Sequence, residues 1–140
     1  MSLRSGFLLV ALAVGPSLRC PAAEPTISEQ TARRLVEAAL PALDEDPKFM
    51  QIVPHGVREF YSFSAMRGTK SVLHIYYLSV NPWTGDVWDA AACSRITTPE
   101  LKKEQRAIWR QSSIPLKARK ALQHRLPYEC RPADDSSPKR

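Results

Sequence analysis

Three histidines, three cysteines and a pair of aspartates flanking a tryptophan are the side chains of this 140-residue chain best suited to chemistry. A metal site would need His55, His74 or His124 to converge with carboxylates or thiolates. The sequence, however, holds neither a Cys-x-x-Cys pair nor a His-Glu-x-x-His run. By their surroundings the three fall on a loop, a strand and a helix. His74, between large apolar neighbours, reads as a hydrogen-bonded core histidine. Asp86 and Asp89 bracket Trp88, but nothing nearby would separate their pKa values as an acid/base pair requires. Asp86 reads as a turn residue and Asp89 as part of a solvent face. There is no Gly-x-Ser-x-Gly elbow and no glycine-rich phosphate loop. The expectation is a chain that is not an enzyme, with no catalytic residue, metal or cofactor.

The cysteines make sense once the first residues are set aside. Arg4 precedes an uncharged, mostly apolar run from Gly6 to Gly15, Pro16 breaks it, and small residues follow at Ala22 and Ala23. This is the layout of a cleaved secretion signal. The run is about half the ~20 residues a spanning helix needs, so no transmembrane segment is expected after signal removal. A cut after Ala22 puts Cys20 at the −3 position and a cut after Ala23 puts Pro21 there; we prefer the first. Acylation at Cys20 would want small residues before it, and Leu18-Arg19 does not supply them. Residues 1–22 are therefore expected to be removed, giving a periplasmic or secreted protein. Cys93 and Cys130 then remain as an even pair, which an exported chain oxidises to a disulfide. By the chain-entropy relation such a bridge contributes roughly 3–4 kcal/mol. Residues 23–132 form one domain, and 133–140, polar and proline-bearing, read as a disordered tail.

The domain reads as α+β: an N-terminal helix packed on a small antiparallel sheet, followed by two C-terminal helices. Thr26 and Glu29 make a capping-box pattern. Ala32, Leu35, Val36, Ala39, Leu40 and Leu43 then recur on one helical face until Pro41 bends the chain. Strands are expected over 57–66 and 71–80, joined by a turn at Arg67-Gly68-Thr69-Lys70. In the second strand, Val72, His74, Tyr76, Leu78 and Val80 share one face and Leu73, Ile75 and Tyr77 the other. A strand apolar on both faces is expected to be covered on both. Asn81-Pro82-Trp83-Thr84-Gly85-Asp86 is a hairpin turn in which Gly85 takes positive φ, and the chain returns through 87–90. Thr98-Pro99-Glu100 opens a helix to about Gln111. A second helix, from about Pro115 to Pro127, carries Leu116, Ala118, Ala121, Leu122 and Leu126.

Charge divides along the same line. Residues 23–93 hold 6 Lys/Arg and 9 Asp/Glu, whereas residues 94–132 hold 10 and 3. Lys102, Arg106 and Arg110, four apart with Lys103 beside them, form a basic stripe, and Lys117, Arg119, Lys120 and Arg125 a second cluster. Such a surface suits an acidic protein or an envelope surface. Export and the lack of interleaved aromatics, Trp109 excepted, argue against nucleic acid. Trp83, at a hairpin tip, either folds back on the domain or anchors a partner.

The helix, the hairpin and the run from Tyr77 to Trp88 (YLSVNPWTGDVW) resemble the PepSY-type domain of exported bacterial proteins, within the broad cystatin-like shape. The turn of that family, Val-Asp/Asn-x-x-Thr-Gly-Asp/Glu-Val, is matched here, and the order of elements agrees over about half of the mature chain. The basic helices and the cysteine pair lie outside the usual module. The resemblance implies a non-catalytic extracytoplasmic module that binds or restrains a partner. The sequence thus points to an exported module that binds a protein or peptide in the cell envelope. The alternative is an inhibitor or immunity-type protein that blocks an enzyme. Trp83, Lys102, Lys103, Arg106 and Arg110 are its candidate contact residues.

Mass spectrometry of the exported protein should find a start near Ala23 and a mass two hydrogens below that of the reduced chain. An intact N-terminus, or two thiols that alkylate without reductant, would refute the compartment assignment.

Overall fold

The computed structural model describes residues 24–57, 59–68 and 72–132. The signal segment, Cys20, Thr69-Lys70 of the expected turn and the expected tail lie outside these residues. Helix α1 spans Glu29–Ala39, and its cap is Ser28, whose hydroxyl accepts from the Thr31 amide. The Thr26–Glu29 box is thereby corrected. Thr26 is engaged elsewhere, its hydroxyl donating to the carbonyls of Pro82 and Trp83 at 3.1 and 2.9 Å. Tertiary partners outcompete a local cap. Ala32, Leu35, Val36 and Ala39 are buried as the spacing predicts. At Pro41 the helix tightens into a 3-10 turn over Leu40–Leu43, which Asp44 ends with φ of 58°.

Five antiparallel strands follow in simple sequential order: β1 (Gln51–Val57), β2 (Tyr61–Gly68), β3 (Leu73–Val80), β4 (Val87–Asp89) and β5 (Ser94–Ile96). β1 and β5 are not in the sequence prediction, and His55 sits on β1, not on a loop. Pro54 and Gly56 give β1 the look of a loop. Both are tolerated because β1 is an edge strand whose register shifts between Pro54 and Val57. The pairs Tyr61↔Val80, Phe63↔Leu78 and Ala65↔Tyr76 set the inner face of the sheet, on which α1 lies. Phe63, Leu78 and Val80 are almost fully buried there beside Leu35 and Leu40. Ile52, Val87, Ile96 and Leu101 complete the core.

At the far end of this face the polar groups converge on Glu45, which is buried. Arg67 Nη1 lies 3.1 Å from its carboxylate, the Tyr76 hydroxyl donates to it at 3.1 Å, and His74 Nδ1 is 3.7 Å away. His74 is accordingly half-exposed at the rim of the core, not enclosed in it as expected. Burial, then the bond to Glu45, pushes the Tyr76 phenol up.

After β5, helix α2 (Pro99–Gln111) opens on a Thr98 cap with Pro99 in the first turn, as the sequence predicts. Helix α3 (Leu116–Gln123) is shorter than expected and buries none of its residues; Leu116 lies in solvent. It is held by polar contacts. Asn81 Nδ2 donates to the Leu122 carbonyl at 2.9 Å, and the Arg119 guanidinium lies over the Trp109 ring at 5.7 Å. The chain then runs through buried Pro127 to Cys130, whose Cα is 5.4 Å from that of Cys93 in the disulfide.

The turn from Asn81 to Asp86 is not an exposed tip, because all six of its residues are buried. Asn81 Oδ1 accepts from the amides of Trp83 and Thr84, and Gly85 takes φ of +71°. A Cβ on Gly85 would lie 3.0 Å from Ile108 and 3.1 Å from Leu35. Replacing Gly85 with valine combines a left-handed backbone with overpacking. It should cost about 3 kcal/mol in chemical denaturation, and an unchanged urea midpoint would show that the turn does not join the helices.

Candidate protein-binding site

The outer face of the sheet carries the pairs Ser62↔Ser79, Ser64↔Tyr77, Met66↔Ile75 and Gly68↔Leu73. The C-terminal segment reaches one end of the sheet, where Asn81 bonds α3, Cys130 meets Cys93 and Arg131 pairs with Glu59. At the other end the described residues leave the face bare. Leu73, Ile75 and Tyr77 are 62%, 40% and 54% exposed. The expectation that both faces of β3 are covered is therefore overturned: three helices cannot cover two faces when α1 and α2 are both committed to the core. A groove of about 410 Å³ adjoins this patch, lined by His55, Ser62, Tyr77, Ser79, Ala91 and Glu129. β3 is paired with β2 along its whole length but with β4 only over Leu78–Val80, so beside Leu73 and Ile75 its other edge has no strand partner among the described residues.

Within this region His55 Nε2 and Ser64 Oγ form a cross-strand hydrogen bond. The pair has the composition of a base and a nucleophile, but Ser64 is buried in the middle of β2. The amides of β2 and β3 around it belong to the ladder, so none is aimed at a point where an oxyanion would form. The bond joins β1 to β2. Among the described residues no group of three or more His, Cys, Asp or Glu is placed to hold a metal ion. No helix among them is long and apolar enough to cross a membrane.

The residues singled out by sequence separate into three groups. Cys93 and Cys130 come together in the bridge. Trp83 is only 7% exposed and lies beneath the Arg125 guanidinium, 5.2 Å from its ring centroid, so of the two outcomes weighed for it the inward one holds. Lys102, Lys103, Arg106 and Arg110 are exposed along α2. Lys102 and Arg106 converge with Arg95 on a cleft of about 250 Å³ floored by Gln105 and Trp109. Arg95, four residues before the start of α2, carries no signal in the sequence. The bare patch was also missed: alternation identified its residues, but only the placement of the helices decides which face stays uncovered.

No family model matches the chain, and no curated protein does. Among solved structures, a chain from a type VI secretion system effector–immunity complex of Pseudomonas protegens superposes with a TM-score of 0.56 at 21% identity. The match covers 69% of this chain and 86% of that one. Identity at that level speaks for a shared fold alone.

Asp86, behind the cleft, couples stability to pH. It is 2% exposed; Thr84 Oγ1 donates to it at 2.7 Å and Arg95 lies 3.4 Å away. Burial raises its pKa above the ordinary 3.8, against the opposing pull of Thr84 and Arg95. An acid whose folded value is raised favours folding below its unfolded value, and that contribution is lost as pH climbs through the folded value. Asp86→Asn keeps an acceptor for Thr84 and removes the titration. Its Tm relative to the parent should rise as pH increases from 3.8, and a gap independent of pH would show that Asp86 is not the group responsible.

Proposed function

We propose that this chain is an exported, non-catalytic binding protein of the inhibitor or immunity type, which seats a partner protein on the outer face of its sheet. The observation that carries the reading is the bare row Leu73, Ile75 and Tyr77 beside an open groove. An apolar row of this kind on one face of a sheet is a surface for a partner. Fully burying side chains of this size gains roughly 1.5–3 kcal/mol each, enough for three of them to dominate an interface.

Two further points support a protein as the occupant. The solved structure that shares this fold is of a complex between an effector and its immunity protein, which favours the inhibitor reading over a general binding module. The PepSY-type resemblance of the helix and hairpin points the same way, to a module that restrains a partner outside the cytoplasm. The Cys93–Cys130 bridge suits a periplasmic or secreted location.

The test uses the full mature protein and an Ile75→Glu/Tyr77→Glu variant that keeps the parent's circular dichroism and Tm. Envelope extract is passed over both, and a protein retained only by the parent is purified and titrated back. A 1:1 complex weakened about 100-fold in the variant, with loss of the partner's enzymatic activity on binding, is the expected result. Equal retention by the variant would sink the proposal. So would self-association of the parent that the variant abolishes, because the occupant would then be a second copy.

A further inference from the structure

We infer that the cleft between β5 and α2 is a second contact site, which receives a carboxylate side chain of an acidic protein partner. Arg95 from β5 and Lys102 and Arg106 from α2 bring three cations to a concavity of about 250 Å³. Within it stands a single anion, Asp86, buried behind Arg95 and already bonded to Thr84. Among the described residues Lys102 and Arg106 meet no carboxylate. They stand four residues apart on one helix, and Arg110 follows at the same spacing, an arrangement of like charges that destabilises an isolated helix. A carboxylate placed between Arg95 and Arg106 would relieve that repulsion and take up guanidinium donors in a geometry that suits its two oxygens.

The floor of the cleft is built before any ligand arrives. Trp109 Nε1 donates to the Thr84 carbonyl at 2.8 Å, and Gln105 Nε2 to that of Gly85 at 3.1 Å. Both side chains are thus fixed by the buried turn, Trp109 with its one donor taken and Gln105 with one of its two, and the three cations supply the charge that recognises the ligand. The basic residues of α3 form a contrast. Lys117 and Lys120 are exposed on a helix that buries none of its residues, and surface charges of that kind add little.

The inference takes its ligand from the protein-partner reading but rests on different residues from the sheet patch, so the two fail separately. The probe is a hexaglutamate peptide titrated into the ¹⁵N-labelled mature protein at low salt, with glutarate and inorganic phosphate as free-anion arms. Trp109 indole and Arg95 and Arg106 side-chain resonances should move with hexaglutamate. Arg95→Gln and Arg106→Gln should each weaken it about tenfold, whereas Lys117→Gln/Lys120→Gln and Ile75→Glu leave it unchanged. Equal loss in the Lys117/Lys120 variant would mean diffuse charge attraction and overturn the site. Absence of shifts, or tighter binding of glutarate or phosphate than of the peptide, would overturn it as well.

Discussion

The buried turn between β3 and β4 is the constraint on which the remaining structure depends. Its backbone carbonyls are acceptors for two separate elements. Those of Pro82 and Trp83 take Thr26 ahead of α1, while those of Thr84 and Gly85 take Trp109 and Gln105 from α2. Its Asn81 side chain faces both ways, accepting from two amides within the turn and donating to α3. A polar loop enclosed by helices would be costly if these groups were unmatched. Here the matching is what orients the helices, and Gly85 lets Leu35 and Ile108 close to van der Waals range above it.

From that hub the asymmetry of the sheet follows. α1 and α2 are drawn to the inner face, where Leu35 and Leu101 join the core. Among the described residues, what is left for the outer face is α3 and the segment behind it, a short basic helix that buries none of its residues. The disulfide fixes that segment at the β4–β5 end, next to a turn that Asp89 caps through the amides of Ala91 and Ala92. The outer face near Leu73 therefore stays bare because the covalent link anchors the last segment at the opposite end. Coverage is decided by topology, not by hydrophobicity.

This explains which features could be read from the sequence. α1 after its cap, β3, the positive φ of Gly85 and the Thr98-Pro99 start of α2 are legible because each is set by local geometry, and the cysteine pairing because two cysteines remain once the expected signal is set aside. β1 is hidden by Pro54 and Gly56, residues that a central strand would reject and an edge strand accepts. Thr26 looks like a cap because sequence shows its distance to Glu29 but not its distance to Pro82. Local pattern alone puts Trp83 at a tip and His74 in a core. Their true positions depend on Arg125 and Glu45, which lie far away in the chain. The cleft needs Arg95 from a three-residue strand that has no signal of its own.

The two proposed surfaces would differ in what they contribute to recognition. The row of Leu73, Ile75 and Tyr77 offers area without direction, since apolar contact is indifferent to orientation. The cleft offers direction with little area, since a carboxylate between guanidinium groups binds in few poses. Charge steers and discriminates more than it tightens, and buried apolar side chains tighten more than they discriminate. An inhibitor must do both, because it has to find one enzyme among many and hold it. On the inhibitor reading proposed above, strand β3 would serve to hold the partner and helix α2 to choose it.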